Sequence, residues 1–159
     1  MYLHHKNKVV KKEDLERLQT LKQELEEVLN TFKGEIFLPC SIFSSQLSGL
    51  ETIVKYLKEQ KHLSFTAIAR LLDRSPKTIW QTYTQSKKKY SSFFKEQPTP
   101  HHIPISLFKQ RDLAVLEHLV FYLKEEYGLS FSQIATILHR DQRTIWTVYH
   151  RATKKNVKK

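Results

Sequence analysis

The chain repeats itself, and that constrains its fold more than any other feature. Leu63-Ser64-Phe65-Thr66-Ala67-Ile68-Ala69-Arg70-Leu71-Leu72-Asp73-Arg74 is answered by Leu129-Ser130-Phe131-Ser132-Gln133-Ile134-Ala135-Thr136-Ile137-Leu138-His139-Arg140, at an offset of 66. The same offset carries Leu50-Glu51 to Leu116-Glu117, Thr78-Ile79-Trp80 to Thr144-Ile145-Trp146, Tyr83 to Tyr149, and Lys88-Lys89 to Lys154-Lys155. Upstream the offset is 65, where Pro39-Cys40-Ser41-Ile42-Phe43 answers Pro104-Ile105-Ser106-Leu107-Phe108. One residue was therefore gained or lost between Phe43 and Leu50. A repeat of this kind is two copies of one folding unit in tandem.

Each unit reads as three helices. Leu50, Ile53, Val54 and Leu57 have the i, i+3, i+4, i+7 spacing of one helix face. Ser48 and Glu51 have the spacing of a capping box at its start. A second helix follows Ser64 or Ser130 as N-cap, with Ser130 and Gln133 again at capping-box spacing. Its core face is Ile68, Ala69 and Leu72, or Ile134, Ala135 and Leu138. The third helix starts after Ser75, with Pro76 at the first helical position, or after Asp141. Only Asp73-Arg74 or His139-Arg140 lies between the second and third helices, so the turn is tight. This is the helix-turn-helix plan.

Charge is uneven. Residues 1–35 carry 7 basic and 7 acidic side chains, residues 36–100 carry 10 and 4, and residues 101–159 carry 10 and 5. The whole surplus of +11 thus belongs to the repeats, which suits a polyanionic partner. Only 3 glycines argue against a Gly-rich phosphate loop. The single cysteine, Cys40, excludes an internal disulfide and a cysteine zinc cluster, which fits a reducing cytoplasm. No apolar run reaches membrane-spanning length, and residues 1–10 lack a signal-peptide core.

Leu47-Ser48-x-Leu50-Glu51, Leu63-Ser64-x-x-x-Ile68-Ala69-x-x-Leu72 and Ser75-Pro76-Lys77-Thr78-Ile79 together resemble the helix-turn-helix of sigma-factor region four and of LuxR/NarL-type regulators. The second copy, with Arg143-Thr144-Ile145 and Ala152-x-Lys154-Lys155, is most similar to the sigma form. The resemblance spans both repeats and implies duplex DNA as partner, with RNA polymerase as a further contact. No other sigma-factor domain and no phosphoacceptor domain is read in this sequence, so neither a complete sigma factor nor a full response regulator is expected. The interhelix turn departs from the pattern in lacking glycine. Asp73 tolerates a left-handed backbone there, and His139 is less suited to one.

The third helix is the candidate reading head. With Ile79 at zero on a helical wheel, Tyr83 lies at about 40° and faces the core, while Lys77, Gln81, Thr84 and Lys88 fall at roughly 140–200°. The second copy places Arg143, Thr147, His150 and Lys154 there, with Arg151 adjacent. Cations suit phosphate or guanine, and amides and hydroxyls suit base edges. Arg74, Thr78 and Gln85, with Arg140 and Thr144, complete the expected DNA-binding set. The alternative is an ordinary solvated helix face. Trp80 and Trp146 are expected to cover the edge of each small core, rather than to meet a sugar or thymine methyl.

The remaining segments carry less. Leu18, Leu21, Leu25, Val28 and Phe32 have the 3-4 spacing of a short coiled coil, and this helix is expected to form a homodimer; its rival is packing on the chain's own repeats. The residues from Lys95 to Pro104 form a Pro-punctuated, extended linker. Tyr90, Phe93 and Phe94 before it either dock one repeat on the other or extend the first core. The pairs His4-His5 and His101-His102 are weak metal signals, and no metal or cofactor is expected. Cys40 answers Ile105 and reads as a small apolar packing site. The tail from Lys154 to Lys159 is expected to fray.

The expected architecture is all-α: an N-terminal assembly helix in 1–35, a first helix-turn-helix unit in 36–94, a linker in 95–102, and a second unit with a basic tail in 103–159. The expected role is that of a non-enzymatic, cytoplasmic, nucleoid-associated transcription regulator that binds double-stranded DNA. A DNA-coating nucleoid protein and a protein-interaction adaptor are the rival readings.

Overall fold

The capping residues set the helix boundaries. In a computed structural model that describes residues 11–31 and 34–156, Ser48 Oγ accepts from the Glu51 amide and Glu51 returns a carboxylate to the Ser48 amide. This box starts α2 (Gly49–Glu59). Ser64 starts α3 (Phe65–Leu72), and Ser75 followed by Pro76 starts α4 (Pro76–Lys89). The second unit repeats the order with α5 (Val115–Glu125), α6 (Phe131–Ile137) and α7 (Gln142–Asn156). Ala114 replaces Ser48 and has no side-chain acceptor, so only the Glu117 half of that box remains. Ser130 and Gln133 form the full box before α6. The chain is predominantly helical, as its periodicity predicts.

Asp73 and His139 both adopt the left-handed conformation, with φ of 49° and 50°. The two turns are therefore alike without glycine, and the amide after each, on Arg74 or Arg140, closes onto the carbonyl of Ala69 or Ala135 at 2.9 Å.

The core follows the repeat. Ile53, Val54, Leu57, Ile68, Leu72 and Ile79 are buried in the first unit, and Leu119, Val120, Leu123, Ile134, Leu138 and Ile145 in the second. Cys40 and Ile105 are both buried, in keeping with one shared packing site. Burial pushes the Cys40 thiol up to about 12. The extra residue of the second copy lies in the loop before α5, between Phe108 and Leu113.

A small sheet was not foreseen. β1 (Phe37–Pro39) pairs antiparallel with β2 (His102–Pro104), and each strand leads into a short 3-10 turn, Cys40–Ile42 or Ile105–Lys109. Three-residue strands flanked by proline carry no alternation long enough to read. The sheet draws residues Ile36–Lys159 into one compact unit, distinct from Met1–Glu35.

The linker lies along the first unit. Gln60 Nε2 donates to the Phe94 carbonyl and to Glu96, both at 3.2 Å. Tyr90 and Phe94 stack at 5.6 Å over the buried Lys55 ammonium and so extend the first core, whereas Phe93 is exposed. The C-terminal helix also runs further than expected. Lys154 and Lys155 are helical rather than frayed, because Lys155 pairs with Glu117 at 2.7 Å. Residues 157–159 lie outside the described residues.

In the N-terminal unit α1 spans Lys12–Thr31. Leu15, Leu18, Leu21 and Leu25 are all more than half exposed. Val28 lies on the helix, and Phe32 falls outside the described residues. Among the described residues, no helix is long and apolar enough to cross a membrane.

Candidate nucleic-acid interface

The third helices, α4 and α7, are pinned to their first helices by the same contacts in both copies. Near the N-terminus Ile79 and Ile145 plug the core. In the middle the Tyr83 hydroxyl donates to Glu59 at 3.1 Å, and Tyr149 to Glu125 at 2.6 Å. At the end Lys89 meets Glu51 at 2.6 Å, as Lys155 meets Glu117. Phe65 packs on Tyr83 and Phe131 on Tyr149, with ring centroids 5.5 and 5.3 Å apart. Lys58 and Lys124 lie over those phenylalanines and donate to the Leu63 and Leu129 carbonyls.

These anchors perturb the carboxyl groups. Burial raises the Glu51 pKa, but the Lys89 ammonium and the Ser48 amide outweigh it and hold the carboxyl below its ordinary value. Glu117 behaves alike through Lys155 and the Ala114 amide. Glu59 is desolvated too, yet Lys55, Lys87 and Tyr83 hold it low. Burial and the Glu59 carboxylate raise the Tyr83 hydroxyl.

What remains on α4 and α7 faces outward. Neither helix contains an acidic residue. Lys77, Gln81, Gln85 and Lys88 are exposed on α4, as are Arg143, Thr144, Arg151 and Lys154 on α7. Thr78 and Thr84 are half-buried and locally bonded: Thr78 shares a 2.8 Å bond with Ser75 Oγ, and Thr84 donates to the Trp80 carbonyl. Thr147 donates to the Arg143 carbonyl at 2.9 Å. His150 Nδ1 bonds the Trp146 carbonyl, and its ring lies 3.9 Å from the indole. Trp146, Thr147, His150, Arg151 and Lys154 line one shallow hollow, and Gln81 and Gln85 flank another beside Ser48 and Leu50.

Three of the expected placements change. Trp80 and Trp146 do not close the core edge: they are 54% and 51% exposed. Each sits one residue beyond the buried isoleucine and so points about 100° away from it around the helix. Arg140 is turned inward, donating to the Ser44 and Leu47 carbonyls of the first unit at 3.3 and 3.1 Å. Its equivalent Arg74 is half-buried; burial lowers its pKa, the charge of Arg111 in the second unit lowers it further, and Asp73 opposes both. The Arg74 Nε is buried without a hydrogen-bond partner among the described residues. Arg140 therefore belongs to the junction between the units. Nothing in the sequence near Arg140 marks that role.

No known protein family, curated protein or solved structure matches this chain.

Proposed function

We propose that residues 36–159 bind double-stranded DNA through α4 and α7, and that the protein regulates transcription. The observation that carries this reading is the pair of acid-free helices, held by identical anchors and each presenting cations, amide or hydroxyl groups and an exposed indole. It agrees with the resemblance to helix-turn-helix units of sigma region four and LuxR/NarL-type regulators. Lys77, Lys88, Arg143, Arg151 and Lys154 serve as phosphate or guanine contacts. Trp80 and Trp146 offer flat apolar surface to sugar or thymine methyl. Arg140 supports the docking of the two units instead. The exposed leucine row of α1 joins two chains as a short coiled coil, and nucleoid association and polymerase contact follow from the same reading.

The test is fluorescence anisotropy on labelled duplex DNA across a salt series. If the five exposed cations each neutralise one phosphate, the logarithmic slope against salt is about −4.5. Affinity then falls roughly 500-fold between 50 and 200 mM salt. Absence of duplex binding at the low-salt end overturns the reading and favours a protein adaptor. Binding with no preference for sequence replaces regulation with DNA coating.

A further inference from the structure

The two units meet through equivalent residues. Leu38 pairs with Ile103, its own counterpart at the 65-residue offset. On either side the partners exchange: Phe37 faces Pro104 and Pro39 faces His102. The Cys40 amide donates to the His101 carbonyl at 3.0 Å, and the counterpart Ile105 amide donates to the Ile36 carbonyl at 2.8 Å. Gly49 abuts Val115, again its own counterpart, so closely that a Cβ on Gly49 would lie 2.6 Å from Val115 Cγ1. Reciprocal contact of this kind is the signature of a two-fold axis. Copies related by simple translation would instead set each residue against a different one, with no exchange.

The Tyr83–Glu59 and Lys89–Glu51 anchors of the first unit recur as Tyr149–Glu125 and Lys155–Glu117 in the second, so this internal two-fold carries α4 onto α7. Two reading helices related by a two-fold axis take half-sites of opposite orientation, as symmetric helix-turn-helix dimers do. We infer that a single chain takes an inverted pair of DNA half-sites at one fixed spacing; the inference rests on the duplex-DNA reading above. The half-sites are alike where the helices are alike, at Thr78/Thr144, Trp80/Trp146 and the cations Lys77/Arg143. They diverge where Gln81 answers Thr147, Thr84 answers His150 and Gln85 answers Arg151. The operator is an imperfect palindrome.

Selection on random duplex of the full-length chain carrying Leu21→Glu and Leu25→Glu, so that the proposed α1 pairing adds no second chain, followed by sedimentation of the complex on the winning sequence, tests this. The expected result is two inverted half-sites per protein chain, with Gln81→Ala altering the profile of one half and Arg143→Ala that of the other. Inserting 5 base pairs between the halves, about half a helical turn, should weaken binding at least about 100-fold by ending simultaneous engagement. Half-sites in direct repeat, tolerance of the insertion, or one chain on each half-site overturns the inference and leaves duplex binding standing. Duplex binding with no enriched arrangement does the same. Failure to bind any duplex at low salt overturns the DNA reading itself.

Discussion

Gly49→Ala gives opposite signs with and without the docked arrangement. Gly49 is the first residue of α2, and its backbone is not in the left-handed region. In a solvated helix, alanine would be favoured over glycine by up to about 1 kcal/mol. Here the new methyl would lie 2.6 Å from Val115 Cγ1 and 3.2 Å from Val115 Cβ. Val115 is β-branched and stiff at χ1, so it cannot swing aside as a long side chain could. Overpacking of this kind costs about 1–3 kcal/mol, which outweighs the propensity gain. Urea unfolding followed by far-ultraviolet circular dichroism should show the midpoint falling by about 1 M, with slopes typical of small proteins. Combining Gly49→Ala with Val115→Gly removes the clash, and a double-mutant cycle should show the two changes compensating one another. A rise in stability for Gly49→Ala alone would refute the reasoning, because α2 and α5 would then not touch in solution.

Lys88→Ala and Lys154→Ala should each weaken all duplexes alike and reduce the salt slope by about 1, measured by anisotropy titration. Gln81→Ala should cost roughly 1–3 kcal/mol on the preferred site and relax selection at one position, read from a binding-site profile. Leu21→Glu with Leu25→Glu should convert a dimer to a monomer in sedimentation, and a monomeric wild type at micromolar concentration removes the coiled-coil proposal. The carboxyls of Glu51, Glu59 and Glu117 are held below their ordinary value of 4.5, so the stability they confer is complete above that pH and is lost as pH falls through their lowered values. Thermal unfolding midpoints should accordingly hold steady down to about pH 5 and drop below that, less steeply in Glu59→Gln.

Most of the local structure was legible because it is written in short-range chemistry. Ser48, Ser64, Ser75, Ser130 and Asp141 act on amides within three residues of themselves, so spacing alone locates the helix starts. The buried faces follow from a 3.6-residue period, which needs no knowledge of the partner surface. The turn residues Asp73 and His139 could be placed by counting, and only their left-handed backbone needed the structure. What stayed hidden depends on contact between units. Arg140 looked like a cation beside a reading helix, since nothing local announces that its guanidinium meets carbonyls 93 and 96 residues away. The tryptophans were expected at the core edge because their wheel position lies at the boundary between core and solvent, and they stand exposed instead. Neighbouring side chains decide such cases.

The internal two-fold was present in the sequence as a pattern with no stated meaning. Two copies can stack by translation or pair by rotation, and the offset of 66 residues is silent between these. The choice rests on Leu38 and Ile103, which sit in strands too short to show a period, and on Gly49, one of only 3 glycines in the chain. Gly49 breaks the repeat, since its counterpart is Val115. At a self-pairing position two valines would collide, so one member must be small for the helices to approach. A tandem duplication need not keep its copies identical at such a point, whereas two identical chains carry the same residue on both sides. Divergence between the copies thus permits a closer junction than exact symmetry allows, and the same freedom lets Gln81 and Thr147, or Gln85 and Arg151, differ on the outward faces.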